Sequence, residues 1–513
     1  MEAQVSHAKA PGEQVPSLVS EKMRPTKYLE RVERADANIR RSNAAIGSNV
    51  RRMRFPSLRR SSAFALALTL AAYSALAVPD QSDKKARNQG PPIIRDAEIE
   101  GLLRIYSGPI FKAAGINAKA ARVVVIGATS INAFVSGGQR IFINSGLITR
   151  AESPNEVIGV LAHESGHIAG GHLAKARTEL DQASTIAVVG ALLGAAAMIG
   201  GAMAGDTGAA QAGQAAILGS QSVAQRNFLV YARSMEATAD ESAMRYLAAT
   251  HQSAKGMLDL FRVLANESLA TTHGTDPYAY SHPMPFDRIR ALEAEAKASP
   301  DYNKPDDPAL VLRHHLAQAK LIGFLQPQMV FQKYPVSDNS LPARYARAIV
   351  FFRRGDLNSA LPIIESLTRD LPQDPYFWEL KAQAYLENGK ADQGLPAIAK
   401  ARSLLPNNGL LQILHAQMLL AGENPASADQ AITLLHLAQR TEPDEASTYK
   451  FLAQGYGLKK QLPEAELATA EYAYAIGDKK LAIEKATIAQ KYLKTGSPGW
   501  LRAGDILSFA SKK

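Results

Sequence analysis

His163-Glu164-Ser165-Gly166-His167, preceded by Glu156-Val157-Ile158-Gly159-Val160-Leu161-Ala162, is the stretch from which the rest of the 513-residue chain is read. The upstream residues are apolar at helical spacing, so the run is predicted as one helix with a buried face. Positions four apart share a helix face, so His163 and His167 present two imidazole nitrogens to one metal ion. Glu164 is offset around the helix from the first imidazole. A carboxylate there suits the removal of a proton from a metal-held water better than binding of the ion. The expectation is a hydrolytic zinc site with one Zn2+ per chain, His163 and His167 as ligands and Glu164 as base. The competing reading is an amphipathic helix that happens to carry two histidines, and further ligands decide between them.

A third histidine ten residues after His163 would complete a three-histidine set, but that position is Leu173. His172, nine steps on, falls about 180° around an unbroken helix and is read as a non-ligand. The alternative is a carboxylate from a later helix, with the fourth position left for water. Tyr231-Ala232-Arg233-Ser234-Met235-Glu236-Ala237-Thr238-Ala239-Asp240 supplies it. Glu236 and Asp240 are four apart, so one can bind the ion while the other orients a ligand histidine through its second ring nitrogen.

His163–His167, the Arg233-x-x-Glu236-x-x-Ala239-Asp240 run and Ser281-His282-Pro283 together resemble the HtpX-like zinc peptidases, in their periplasmic branch of assembly proteases. Ile131 to Gly138 and Arg140 to Leu147 are similar to the strand pair that precedes the metal helix in that family. The resemblance implies an α+β zincin domain in which Glu236 is the third ligand and Asp240 the second-shell carboxylate. It also implies that His282 caps the metal at rest. By the same resemblance the substrates are unfolded or misassembled envelope proteins, outer-membrane β-barrel proteins among them. Ala133, Phe134 and Val135 are the candidate strand for pairing with an extended substrate.

The net charge of +10 would suggest nucleic acid if it were spread over the chain. Residues 1–77 hold 13 Lys/Arg against 6 Asp/Glu, which leaves 45 against 42 for the remainder. No nucleic-acid surface is expected. Arg59-Arg60, the uncharged run Ser61 to Val78 and the ending Ala75-Leu76-Ala77 match a signal peptide at 53–77. On that reading the exported chain is periplasmic and residues 1–52 are an over-extended start. An uncleaved anchor is the alternative. With no cysteine, disulfides and lipobox lipidation are excluded.

Between Gln182 and Gln225 the only charged residue is Asp206. A single membrane crossing would separate His163 and His167 from Glu236, so a helical hairpin turning near Gly205-Asp206-Thr207-Gly208 is expected. The expected placement is over the site with some membrane contact, and a buried Ala-rich helix pair is the alternative. Beyond about residue 300, Ala348/Ala382, Phe351/Tyr385, Gly355/Gly389 and Pro372/Pro406 recur at 34 residues, the tetratricopeptide period. Such helix pairs stack into a solenoid whose concave face binds peptides or partner proteins. His314 and His315, adjacent on a helix, are read as surface residues.

The fold class expected is mainly α: a peptidase domain with a small sheet over 78–300, then an α-solenoid over 301–513. The function expected is a periplasmic zinc endopeptidase in envelope quality control, its repeats docking substrates or the outer-membrane assembly machinery. Two alternatives stay open, a chaperone or scaffold with a resting zinc site and a membrane-integrated peptidase.

Overall fold

The computed structural model describes residues 92–117, 120–204, 207–270, 282 and 286–510. Residues 1–52 and the expected signal peptide at 53–77 lie outside them, as do Ser281, Pro283, Gly205 and Asp206.

Strand β1 (Ile93–Ile94) leads into helix α1 (Ala97–Ala113), whose start is fixed by Asp96 accepting from the amides of Glu98 and Ile99. Strands β2 (Arg122–Ile126), β3 (Ala133–Ser136) and β4 (Arg140–Asn144) complete a sheet of order β1-β2-β4-β3, with β2 and β4 parallel and the other neighbours antiparallel. Gly137 and Gly138 turn β3 into β4 with φ of 57° and 92°, the left-handed conformation a tight hairpin needs. Alternation along the strands buries Ala133, Val125, Ile141 and Ile143 on one face. That face joins Leu103, Tyr106 and Ile110 of α1 and Val157, Val160 and Leu161 of α3 (Pro154–Ala169) in one core. Helix α3 begins with Ser153 as cap and Pro154 in its first turn, and follows the short α2 (Ser145–Arg150).

Two long helices come next, α4 (His172–Ala204) and α5 (Thr207–Ala249), then α6 (Lys255–Ala270) and α7 (Phe286–Ala298). The hairpin is therefore present, its legs ending on either side of the expected turn. Ile186, Val188, Val189, Leu192 and Leu193 on α4 and Leu218, Val223 and Val230 on α5 are exposed, so it is not a buried Ala-rich helix pair. Small residues let the legs touch: a Cβ on Gly194 would come within 2.4 Å of the Gly213 carbonyl oxygen.

Helix α8 (Pro308–Leu325) belongs to both cores, sending Ala317 and Leu321 into the first and Leu316, Ala319 and Ile322 into the next. The sequence reading of His314 as a surface residue is corrected here. It is fully buried, with Nδ1 3.0 Å from the Tyr106 hydroxyl and Nε2 3.2 Å from the Ala151 carbonyl. The reason is that α8 packs on α2, so its inward face meets polar backbone at the end of that helix.

After a 3-10 turn (Pro327–Met329) and a single helical turn (Val330–Lys333) come α9 (Leu341–Arg353), α10 (Leu357–Asp370), α11 (Pro375–Glu387), α12 (Ala391–Leu404), α13 (Gly409–Ala421), α14 (Pro425–Thr441), α15 (Ala446–Leu458), α16 (Leu462–Ala475), α17 (Lys479–Tyr492) and α18 (Pro498–Ala510). Each helix packs on the next. The 34-residue period has a physical basis in two places. Gly355 and Gly389 both take positive φ, 80° and 71°, in the turns after α9 and α11, and Ala348 and Ala382 are both fully buried where neighbouring helices approach.

Two polar joints tie the later helices to the first core. Arg95 reaches Glu445 at 2.7 Å and also pairs with Glu442. Lys320 of α8, almost fully buried, lies 2.7 Å from Asp96, 3.4 Å from Glu98 and 3.3 Å from Glu379.

Candidate metal centre

Helix α3 carries His163 and His167 on the face turned toward α5, and α5 carries Glu236 and Asp240 one turn apart on the face turned back. Gly166 permits this approach: a Cβ there would lie 2.8 Å from the Ala239 carbonyl oxygen and 2.9 Å from its Cα. The Ser165 hydroxyl is satisfied within the helix, donating to the Leu161 carbonyl at 2.7 Å.

His163 Nε2 lies 3.1 Å from His167 Nε2 and 3.4 Å from Glu236 Oε2, and His167 Nε2 lies 3.4 Å from Glu236 Oε1. His282 adds Nδ1 at 3.4 Å from His163 Nε2 and 3.1 Å from Glu236 Oε1. An ion held at about 2.1 Å in a tetrahedron separates its donors by about 3.4 Å. The distances observed fit that polyhedron, and the four donor atoms all lie within 4.8 Å of one another. The residues thus fit a tetrahedral cation, with His282 at the fourth corner.

The groups behind the donors are also in place. His163 Nδ1 lies 3.0 Å from Asp240 Oδ1, and Asp240 is held by Arg288 through Nε and Nη2, both at 2.8 Å. Arg288 Nη1 stands 3.2 Å from Glu236 Oε2. The ring of Phe261 meets His163 edge to face, with centroids 5.8 Å apart. Glu164 is fully buried, its carboxylate makes no hydrogen bond among the described residues, and it lies 3.4 Å from His282 Nε2. A buried carboxylate so placed has its acceptor capacity directed at whatever enters the site.

The electrostatics call for positive charge at this point. Burial opposes charge on His163, yet the Asp240 and Glu236 carboxylates outweigh it and raise its pKa to about 10. Burial likewise opposes charge on Glu236, and hydrogen bonds from His163, His167 and His282 outweigh that to hold it well below the usual carboxylate range.

The sequence reading brought together His163, Glu164, His167, Glu236, Asp240 and His282, and the fold places all six in one cluster. It missed Arg288, which follows the His282 segment closely enough to have been a candidate. It also misplaced His172. That residue does not sit on the far face of a continuing helix: α3 ends at Ala169, Gly171 turns the chain with φ of 63°, and His172 opens α4 with its ring against His167. Ala133, Phe134 and Val135 form β3, at an end of the sheet order and so unpaired on its outer edge among the described residues.

Comparison with known proteins agrees with this geometry. Residues 100–296 match the profile of Peptidase family M48. Over 376 residues the chain is 24% identical to a beta-barrel assembly-enhancing protease of Yersinia pestis, covering 72% of this chain and 74% of that one. It is 26% identical to a putative beta-barrel assembly-enhancing protease of Vibrio cholerae over 72% of this chain and 75% of that one, and 22% identical to a beta-barrel assembly-enhancing protease of Escherichia coli strain K12 over 72% and 74%. Residues 100–296 thus carry a domain that matches Peptidase family M48, and the donor cluster lies within it, as a metallopeptidase requires.

Proposed function

We propose that the protein is a zinc endopeptidase of the periplasm that degrades unfolded or misassembled envelope proteins, β-barrel outer-membrane proteins among them. The observation that carries the reading is the set of donors at tetrahedral separations beside the buried Glu164, whose carboxylate makes no hydrogen bond among the described residues. His163, His167 and Glu236 are the residues that would hold Zn2+. When bound, zinc supplies a Lewis acid that activates a water and polarises the scissile carbonyl. Glu164 accepts the proton of the attacking water and passes it to the leaving amine. Asp240, backed by Arg288, fixes the His163 ring so that Nε2 faces the donor set. His282 stands where water or substrate must enter, so the arrangement is a resting one and catalysis requires the imidazole to leave.

Substrate selection follows from the open edge of β3. An extended chain can add to Ala133–Val135 as a strand, which recognises backbone and therefore favours unfolded polypeptide. The stacked helices α9–α18, read as tetratricopeptide repeats, dock substrates or the assembly machinery. The exposed apolar side chains of α4 and α5 make peripheral membrane contact, and His172–Met198 is long and apolar enough to cross a membrane by length and composition.

The test is casein hydrolysis together with metal analysis of the parent and Glu164→Gln. The parent is expected to hold one Zn2+ per chain and cleave, and the variant to hold Zn2+ and lose nearly all cleavage. Equal cleavage by both would refute the mechanism. The seat of His282 at the fourth corner favours one second reading, a scaffold with a permanently closed site. A parent that binds Zn2+ but cleaves no unfolded protein under any condition would establish it.

A further inference from the structure

The donor set leaves one ligand's outer nitrogen to be accounted for. His163 turns Nδ1 to a carboxylate at 3.0 Å, whereas no carboxylate faces the corresponding nitrogen of His167 in the described contacts. His167 Nδ1 instead lies 3.0 Å from His172 Nδ1, the two rings nearly perpendicular at 83° with centroids 5.0 Å apart. Two lone pairs at that distance repel, and two protons collide, so one nitrogen carries a hydrogen and the other accepts it. His167 needs a lone pair on Nε2 to bind a cation, which puts its hydrogen on Nδ1. His172 is then the acceptor at Nδ1 and carries its own hydrogen on Nε2.

The backbone is shaped to deliver this ring. The Gly170 amide donates to the Gly166 carbonyl at 2.9 Å and the Gly171 amide to the Ile168 carbonyl at 3.0 Å, closing α3. Gly171 then adopts φ of 63°, which starts a new helix at His172 and turns its side chain back toward the site. Gly170 makes room, since a Cβ there would lie 2.2 Å from His172 Nε2. His172 is 6% exposed, although it opens a helix whose outer length is bare to solvent. The Gly170-Gly171 pair is what a histidine at this position requires.

The geometry points to His172 as the positioning residue of His167: a neutral imidazole that accepts from Nδ1–H, fixes the tautomer and aims Nε2 at the ion. His172 is not a ligand, since its Nδ1 is directed at the outer nitrogen of His167 and it stands outside the donor cluster. The inference rests on the metal site proposed above. Partners behind ligand histidines are worth roughly 10- to 100-fold in metal affinity.

The experiment uses the full chain and Zn2+, with affinity read by chelator competition and fold by thermal melting of the EDTA-treated protein. His172→Phe, which fills the space without an acceptor, is expected to lower Zn2+ affinity by 10-fold or more. His172→Gln, whose amide oxygen can accept, is expected to recover most of it. Parental affinity in His172→Phe overturns the role, as does an equal loss in both variants. A spectroscopic readout needs no substitution: nitrogen NMR of histidine-labelled, Zn2+-loaded parent should show His172 as the Nε2–H tautomer, and an Nδ1–H or protonated His172 overturns the inference. A parent that binds no Zn2+ would refute the site and this role with it, whereas a parent that binds while His172→Phe matches it refutes the role alone.

Discussion

Gly166→Ala tests the site without touching any group that bears chemistry. The added methyl would lie 2.8 Å from the Ala239 carbonyl oxygen, 2.9 Å from Ala239 Cα and 3.1 Å from Ser242 Cβ, all on α5. Two of those atoms are backbone, so no side chain can rotate away. Relief requires α3 and α5 to separate by about 0.6 Å, the shortfall from ordinary contact. That separation opens between the helix that supplies His163 and His167 and the helix that supplies Glu236. Metal sites tolerate about 0.2 Å in ligand distance, so the set would be left one ligand short of good geometry. The expected costs are about 1–3 kcal/mol of stability from overpacking and at least a tenfold loss of Zn2+ affinity, the latter equivalent to about 1.4 kcal/mol. Chelator competition and melting of the metal-free chain measure the two separately. Ser165→Ala is the control, because it removes one hydroxyl and leaves the helix spacing alone. A Gly166→Ala chain that binds Zn2+ and cleaves casein like the parent would show that the close approach of α3 and α5 does not set the geometry.

Asp240→Asn keeps the shape of the side chain but weakens its hold on His163 Nδ1, and is expected to lower Zn2+ affinity by about 10- to 100-fold while preserving the melting temperature of the metal-free chain to within a few degrees. His282→Ala is expected to raise basal casein turnover and self-cleavage with Zn2+ retained; turnover below the parent's would rule out the resting-cap role. Burial pushes Glu98 up to about 8, so the folded chain keeps a proton that the unfolded chain releases near pH 4.5. The stability linked to this group is therefore full at low pH and lost as pH rises through about 8; melting of Glu98→Gln should fall less steeply between pH 5 and 8 than the parent's, and equal slopes would contradict the assignment. Leu192→Glu with Leu193→Glu, both 67% exposed, should leave melting and casein cleavage intact and reduce co-sedimentation with lipid vesicles, and undiminished binding would remove the hairpin as the membrane contact.

Which parts of this molecule could be read from sequence depends on whether the determining geometry is local. His163 and His167 were legible because a helix fixes the relation of residues four apart whatever surrounds it. Glu236 and Asp240 were legible as a pair for the same reason, and only the need for a third ligand linked them to the first motif. The 34-residue spacing was legible because Gly355 and Gly389 are required by backbone conformation, and Ala348 and Ala382 by helix contact. The failures come from one assumption, that an element continues or lies on a surface unless punctuated otherwise. His314 was placed outside because two adjacent histidines suggest no common face, while the packing of α8 on α2 buries one of them among carbonyls. The hairpin follows from the need to keep His163, His167 and Glu236 on one side of a membrane, but the exposure of its apolar side chains is set by packing that spacing alone does not reveal. His172 is the sharpest case. A constant 100° per residue puts it opposite the site, and the Gly170-Gly171 pair is the signal that the rotation stops there. A glycine pair immediately before a histidine, at the end of a helix that carries two candidate ligands, reads as a turn that returns the histidine to the second of them, here His172 to His167.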